Sequence, residues 1–390
     1  MEKKKLLYVS PFPPQRSGIS EYSEILVYTL KKYFDITLLV DNYKISIPNI
    51  YNDFNVLMYK KDIVDFQKYD YIIYNIGNNP MYHSFIYKLC LEHPGMVILH
   101  DCVLYYLIVG VYEEENKLYS KLYDIGGIDA ICTVKQALKK ENKPLLECKD
   151  IASKLPLNKE LASSGNKIMV HSQYAYNMIK DNMSDIENLR KINLIKQTKT
   201  DVKIIDRKKL FAKYHIPEDA LIITSFGYIA ETKLNHKVCE AVKELCEEIK
   251  KKICYIMVGE GDYVNNQIDN KIVFKTGYTS LDEFNSFLYY SDIVANLRYP
   301  SMGETSAAMI RIMEYGKPCL IISDAWFAEL PKDCVVSLEP NQIDQIKLKL
   351  YDLIEKEDYR KKIGRKAKEF VDLNHSPDKV GQEIYEYICS

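Results

Sequence analysis

The sequence has no surplus of charge of either sign: 53 Lys and Arg stand against 54 Asp and Glu over 390 residues. A dedicated nucleic-acid binder needs a basic face for phosphate, so this balance argues against one. The ten cysteines form no CxxC pair and no metal-ligand spacing, and they read as reduced, mostly buried thiols rather than a disulfide framework. No apolar run reaches the roughly 20 residues of a membrane-spanning helix. The longest, around Cys102 to Tyr112, falls far short. The N-terminal MEKKKLLYVSPFPP has the charge of a signal peptide, but its apolar run is short and ends at prolines. A cytoplasmic protein is the expectation. Neither GxGxxG nor the P-loop pattern occurs, which argues against a dehydrogenase and a P-loop NTPase. No DxD-like metal triad, internal repeat or low-complexity segment stands out.

What is present is 47% hydrophobic and 27% charged, the balance of a soluble globular chain. The length suits two domains of about 150–200 residues, each able to bury a full core. The most informative stretch is IVANLRYPSMGETSAAMIRIMEYGKPCLIISDAWFAELP, residues 293–331. An apolar run (Ile293 to Leu297) leads into a polar turn (Arg298 to Gly303) and then a segment of helical spacing (Thr305 to Tyr315). Gly316 and Pro318 stop that helix, and a second buried-strand run, CLIIS, follows. Such a unit carries Arg298, Glu304, Thr305 and Ser306 to a strand's C-terminal edge and a helix N-terminus, where unpaired N–H groups favour an anion. Any doubly wound domain has several such crossovers, so spacing alone leaves a purely structural reading open.

In chain order, KLLYVS (Lys5 to Ser10) suits a buried first strand, and the loop holding Gly18 precedes a helical segment. This is either a phosphate-cradling loop or a plain strand-to-helix turn. DITLLV (Asp35 to Val40), YDYIIYNIG (Tyr69 to Gly77) and Met96 to Leu99 read as further strands, the last ending on His100-Asp101. His100 is either a ligand for a hydroxyl or a structural residue. Residues 103–165 read mostly as helix, and the cationic run VKQALKKENK is either a solvated face or a membrane-surface patch. KIMVHSQYAYNMI gives the last strand–helix unit of the first domain, with Ser172 as a helix N-cap. A lysine-rich connection starts near Lys196, and a second strand series begins at LIITSFGYI. YIMVGEGDY is a strand into a glycine turn, and KIVFKTGYTSLDEFNSFLYYSDIVANL reads strand, loop, helix, strand. Helices are expected over Ile346 to Tyr359 and Arg365 to Asn374.

Several of these stretches together resemble one family. Leu297-Arg298-Tyr299-Pro300, Gly303-Glu304-Thr305-Ser306, Ile310-Arg311 and Trp326 to Pro331 look like the donor-site signature of the retaining group 1 glycosyltransferases of family 4, in the branch with LRxP, GETS, LR and WFAELP. The IGNNP, PG, LHD succession before His100 is similar to that branch, and Gly227 to Lys233 reproduces the family's glycine-to-lysine spacing. The resemblance implies the GT-B fold: two Rossmann-like doubly wound α/β domains facing across a cleft. It places an acceptor-side domain at 1–195, a nucleotide-sugar domain at 196–375, and a C-terminal helix, 376–390, returning to the first.

It further implies a retaining, metal-independent hexosyl transfer from a UDP- or GDP-linked sugar to a glycan or lipid-linked glycan, in cell-surface polysaccharide synthesis, with peripheral contact at the inner membrane face. No cofactor beyond the substrate is expected. His100, Lys233 and Glu304 take the catalytic roles. Gly18, Gly227, Gly277, Tyr278, Arg298, Gly303, Thr305, Ser306, Ala307 and Arg311 hold the donor. The chain departs from the family in two places. Tyr228 stands where Arg often follows the glycine, and Arg311 stands where a ribose-binding glutamate is usual, with Glu304 one residue off the first glutamate. Glu314 does not restore the pair, lying about 60° around the helix from Arg311. A non-catalytic subunit of this fold and a nucleotide-sugar epimerase are the two alternatives.

Overall fold

The computed structural model describes residues 3–114, 116–164, 166–183, 186–197 and 202–390. The chain divides into two compact units, one of Met1–Ile195, Met302–Thr305 and Pro377–Ser390, the other of Lys196–Ser301 and Ser306–Ser376. The middle of the lysine-rich connection, residues 198–201, lies outside the described residues.

Among the described residues the first unit holds one parallel sheet of seven strands: β1 (Lys4–Val9), β2 (Phe34–Val40), β3 (Asn55–Met58), β4 (Tyr71–Ile76), β5 (Met96–Leu99), β6 (Lys167–Val170) and β7 (Leu189–Lys191). Their spatial order is β3-β2-β1-β4-β5-β6-β7. Leu6 to Val9 and Met96 to Leu99 bury every side chain, as strands covered on both faces must. The order reverses between β1 and β4, which opens a crevice at their C-terminal ends. Helices Tyr105–Glu114 and Leu118–Glu141 contribute Leu107, Ile108, Leu122 and Val134 to the core beside the sheet. The second of these is interrupted at Gly127, whose φ of 67° and ψ of −164° lie outside the helical region.

The second unit repeats the plan with six strands among the described residues: β8 (Leu221–Phe226), β9 (Ile253–Val258), β10 (Val273–Lys275), β11 (Ile293–Ala295), β12 (Cys319–Ile322) and β13 (Val336–Leu338). These too are parallel, in the order β10-β9-β8-β11-β12-β13, with the reversal between β8 and β11. Each unit is therefore a Rossmann-like doubly wound layer structure. All ten cysteines are free thiols and most are buried.

Three short edge strands were not anticipated. β7 adds a strand beyond β6, so Lys167–Val170 is not the last of its sheet, and the sequence Leu-Arg-Lys with two exposed side chains carries no apolar signal. Of the two helices expected over Ile346 to Tyr359 and Arg365 to Asn374, the first ends at Glu355 and the second starts earlier, at Glu357. The segment Thr305 to Tyr315 is helical only over Ala307–Glu314, because Ser306 caps it by accepting the Met309 N–H.

The C-terminal helix, Pro377–Cys389, lies in the first unit. The Tyr387 hydroxyl donates to the carbonyls of Ile168 at 3.1 Å and Asn188 at 2.8 Å, and Tyr385 stacks on Tyr33. In the second unit, helix Glu357–Asn374 crosses the turn at Gly316 so closely that a Cβ on Gly364 would sit 2.0 Å from the Gly316 carbonyl oxygen. Backbone cannot yield there as a flexible side chain could. Gly364→Ala is expected to cost about 2–3 kcal/mol, read as a lowered melting temperature, whereas Gly18→Ala, with nothing within 4 Å of the new methyl, should leave it unchanged.

Candidate functional site

In the second unit, the chain leaves β8 at Phe226 and turns at Gly227 with φ of 84°, a left-handed conformation that favours glycine. Two neighbours make the position more demanding. Gly259 passes so near that a Cβ on it would be 2.1 Å from the Gly227 oxygen, and a Cβ on Gly227 would be 2.9 Å from the Lys233 Nζ. The turn is pinned by Gly227 N–H to Val258 O at 3.0 Å and Ile229 N–H to Glu260 O at 2.6 Å. Lys233 closes the short turn Glu231–Lys233 and folds back, its Nζ donating to Phe226 O at 2.8 Å. Burial, and then the charge of Arg298, push the Lys233 pKa down to about 8.

Arg298 follows β11 across the switch point, and its loop is tied at both sides. Tyr299 N–H donates to Thr232 O at 2.7 Å, and Ser301 N–H donates to Asp324 Oδ2 at 2.9 Å. Gly227, Lys233 and Arg298 are thus brought together by backbone of two neighbouring strands. Ser306 and Ala307 open the next helix, whose first N–H groups carry the positive end of the dipole. Arg311 lies with its guanidinium 5.5 Å from the Phe284 ring centroid, and Phe284 packs on Phe226. Glu314 is drawn to Lys196 at 3.8 Å, as its helical offset from Arg311 requires. Gly277, with φ of 72°, and Tyr278, 67% exposed, sit in the loop after β10 with open space beside the glycine.

In the first unit, Ser17 caps the helix Gly18–Leu30 by accepting the Ile19 N–H, and Gly18 faces open space. Tyr22 of that helix meets the His100 ring edge-on, with centroids 4.6 Å apart. His100, one residue past β5, has its Nε2 3.0 Å from Asn75 Oδ1. Burial, reinforced by His171 and His83, holds its pKa well below the ordinary imidazole value. Gly303, Glu304 and Thr305 belong to this unit as well. Gly303 has φ of 87°, and a Cβ there would lie 2.3 Å from the Tyr174 ring. Glu304 Oε2 accepts the Met302 N–H at 3.0 Å. Glu304 lines a cavity of about 460 Å³ with Asn78, Asp101, Val103, Tyr106 and Met302.

Sequence reading did not single out Asn75, His171, Phe284 or Asp324. Asn75 left a visible signal, an amide inside the apolar run YIIYNI. Phe284 and Asp324 left none, since their partners are far along the chain. Among the described residues no group of three or more His, Cys, Asp or Glu is placed to hold a metal ion, and no helix is long and apolar enough to cross a membrane.

Two Rossmann-like parallel-sheet domains with this arrangement constitute the GT-B fold, and solved structures of that fold match the chain nearly end to end. HepE of Anabaena, solved with UDP and glucose, superposes with a TM-score of 0.67 at 13% identity over 99% of this chain and 100% of that one. Sucrose-phosphate synthase of Thermosynechococcus elongatus gives 0.63 at 10% identity over 98% of each chain. A glycosyltransferase of Rickettsia africae gives 0.61 at 16% identity over 100% of each. At these identities the likeness is one of fold. Residues 206–370, most of the second unit, match the family model described as glycosyl transferases group 1. No curated protein matches the chain in sequence.

The lowered pKa of Lys233 has a thermodynamic sign. Between about 8 and the ordinary 10.5 the unfolded chain holds a proton that the fold does not, so the destabilisation grows as pH falls through that window and is complete below it. Lys233→Met should therefore stabilise the ligand-free protein by about 1–3 kcal/mol near neutral pH, with the gain vanishing toward about pH 10. Thermal melts of the two proteins across that range check it.

Proposed function

We propose that the protein is a retaining glycosyltransferase that moves a hexosyl group from a UDP- or GDP-linked sugar to a hydroxyl of a glycan or lipid-linked glycan. One observation carries the reading: a half-buried lysine and an arginine held at the switch point of the second sheet, beside a helix N-terminus, within the segment that matches the group 1 model. When the bond from the anomeric carbon to the phosphate oxygen breaks, the leaving diphosphate gains charge. Lys233, Arg298 and the N–H groups at Ser306 and Ala307 meet that charge. The attacking hydroxyl gives its proton to the departing phosphate oxygen, and the new bond forms on the same face. No protein base is nominated.

Glu304, with Gly303 and Thr305, holds hydroxyls of the donor sugar, and His100 accepts another. Gly277 and Tyr278 hold the base through main-chain groups, Gly18 leaves room at its helix N-terminus for the donor, and Arg311 replaces the usual ribose contact. The charge at Lys233 and Arg298 takes the part a metal ion plays elsewhere, so turnover survives a chelator. The cavity lined by polar Asn78 and Asp101 and apolar Val103 and Tyr106 suits an acceptor that presents both hydroxyls and hydrocarbon. Membrane-face synthesis of a cell-surface polysaccharide is the setting this acceptor suggests.

A nucleotide panel tests the reading, because a ligand that binds only the folded protein raises its melting temperature. UDP or GDP should stabilise the wild type, and Lys233→Ala should lose that response. Proton NMR of the product should show the donor's anomeric configuration kept. A panel without any response would leave a non-catalytic subunit, and product formed without acceptor would indicate an epimerase.

A further inference from the structure

The first unit carries a polar network around His100. Asn75 is fully buried in β4 and pairs in register with Ile98, so that His100 lies just past the neighbouring strand's end. An amide oxygen can only accept, so the 3.0 Å approach of His100 Nε2 to Asn75 Oδ1 makes Nε2 the protonated nitrogen and leaves the lone pair on Nδ1.

The neighbours keep the ring uncharged. His83 Nδ1 donates to the Asn75 carbonyl at 3.2 Å, and burial moves its pKa to about 4. His171 Nδ1 donates to Ile192 O at 3.0 Å, and its ring centroid lies 5.1 Å from that of His100. Tyr22, edge-on to both rings, has a buried hydroxyl with no hydrogen-bond partner among the described residues, and burial keeps it protonated. Asp101, next in the chain, accepts the Asn78 N–H at 2.8 Å. Two imidazolium rings this close in a buried site would repel each other.

We propose that Asn75 is the positioning residue that fixes His100 as the neutral Nε2–H tautomer, so that Nδ1 accepts a hydrogen bond from a substrate hydroxyl and turns away phosphate. Phosphate oxygens offer only lone pairs to a lone pair, whereas a hydroxyl can donate. The identity of the hydroxyl as the sugar's rests on the proposed transferase reading; the tautomer does not.

The first test is ¹⁵N NMR of histidine-labelled full-length protein, with the His100 signals assigned by their loss in His100→Gln. The Nε2–H tautomer should persist uncharged as pH falls through the ordinary imidazole pKa of 6.5. An Nδ1–H tautomer or a protonated ring would overturn the proposal. The second is kinetic. Asn75→Asp keeps the acceptor but adds a charge that raises the His100 pKa, so kcat/KM should fall roughly tenfold, the worth of an ordinary hydrogen bond, as pH drops through the new pKa, and recover above it. Asn75→Ala should be slow at every pH. A purely structural role would lower both variants evenly across pH, which would also overturn the proposal. If the variants fail to fold, the wild-type spectrum still decides the tautomer. If the wild type transfers no sugar from any donor, the transferase reading falls while the tautomer result stands.

Discussion

The ammonium of Lys233 and the guanidinium of Arg298 are held close enough at one sheet edge for the second to depress the pKa of the first. Like charges placed together and taken out of water oppose folding. The Phe226 carbonyl offers one hydrogen bond, which is worth far less than the solvation lost. The surrounding structure has to be rigid enough to keep the pair there. That is why the turn after β8 is fastened by backbone to β9, why Asn235 Nδ2 ties the Ser225 Oγ at 3.0 Å to the Tyr255 hydroxyl at 2.9 Å, and why the Arg298 loop is bonded on either side. Two glycines follow from the same constraint, since Gly227 has to leave room for the ammonium and Gly259 for the Gly227 carbonyl.

The two sheet edges solve opposite problems with one architecture. The second places its polar groups where strand order reverses, and the first places them at the ends of β4, β5 and β6. The second unit fills that place with cations. The first fills it with a buried amide, with His83 and His100, whose pKa values burial lowers, and with buried hydroxyls. A cationic edge suits a polyanion, and in the proposed reading the lone pair on His100 Nδ1 suits a hydroxyl. The chemistry assigned to each unit follows from what each can desolvate.

Much of the frame was legible because parallel strands buried on both faces read as unbroken apolar runs. Met96 to Leu99 was delimited without error, and the crossover from β11 through its helix to β12 was visible from Gly316 and Pro318. The edge strands were not, because β3, β7 and β13 have only three or four residues each. The Gly227 to Lys233 spacing was readable as a sequence feature. The reasons for it were not, since they lie in β9, which comes 30 residues later in the chain. Arg311 shows the same limit: its aromatic neighbour Phe284 precedes it by a whole strand–helix unit, so sequence could flag the departure from the family but not what the side chain rests on.

Arg311 also bears on the donor. A glutamate at that position would accept from ribose hydroxyls, whereas a guanidinium only donates and carries the opposite charge. Laid against Phe284, with Glu314 turned away to Lys196, it adds a third cation to Lys233 and Arg298, with a helix N-terminus in the same unit. Such a site gains most from the diphosphate and least from the nucleoside. In the proposed reading, discrimination between bases falls to the main chain at Gly277 and Tyr278, where the glycine has nothing within 4 Å to crowd a ring. In the proposed transferase reading, affinity for the donor is set by phosphate count before base identity.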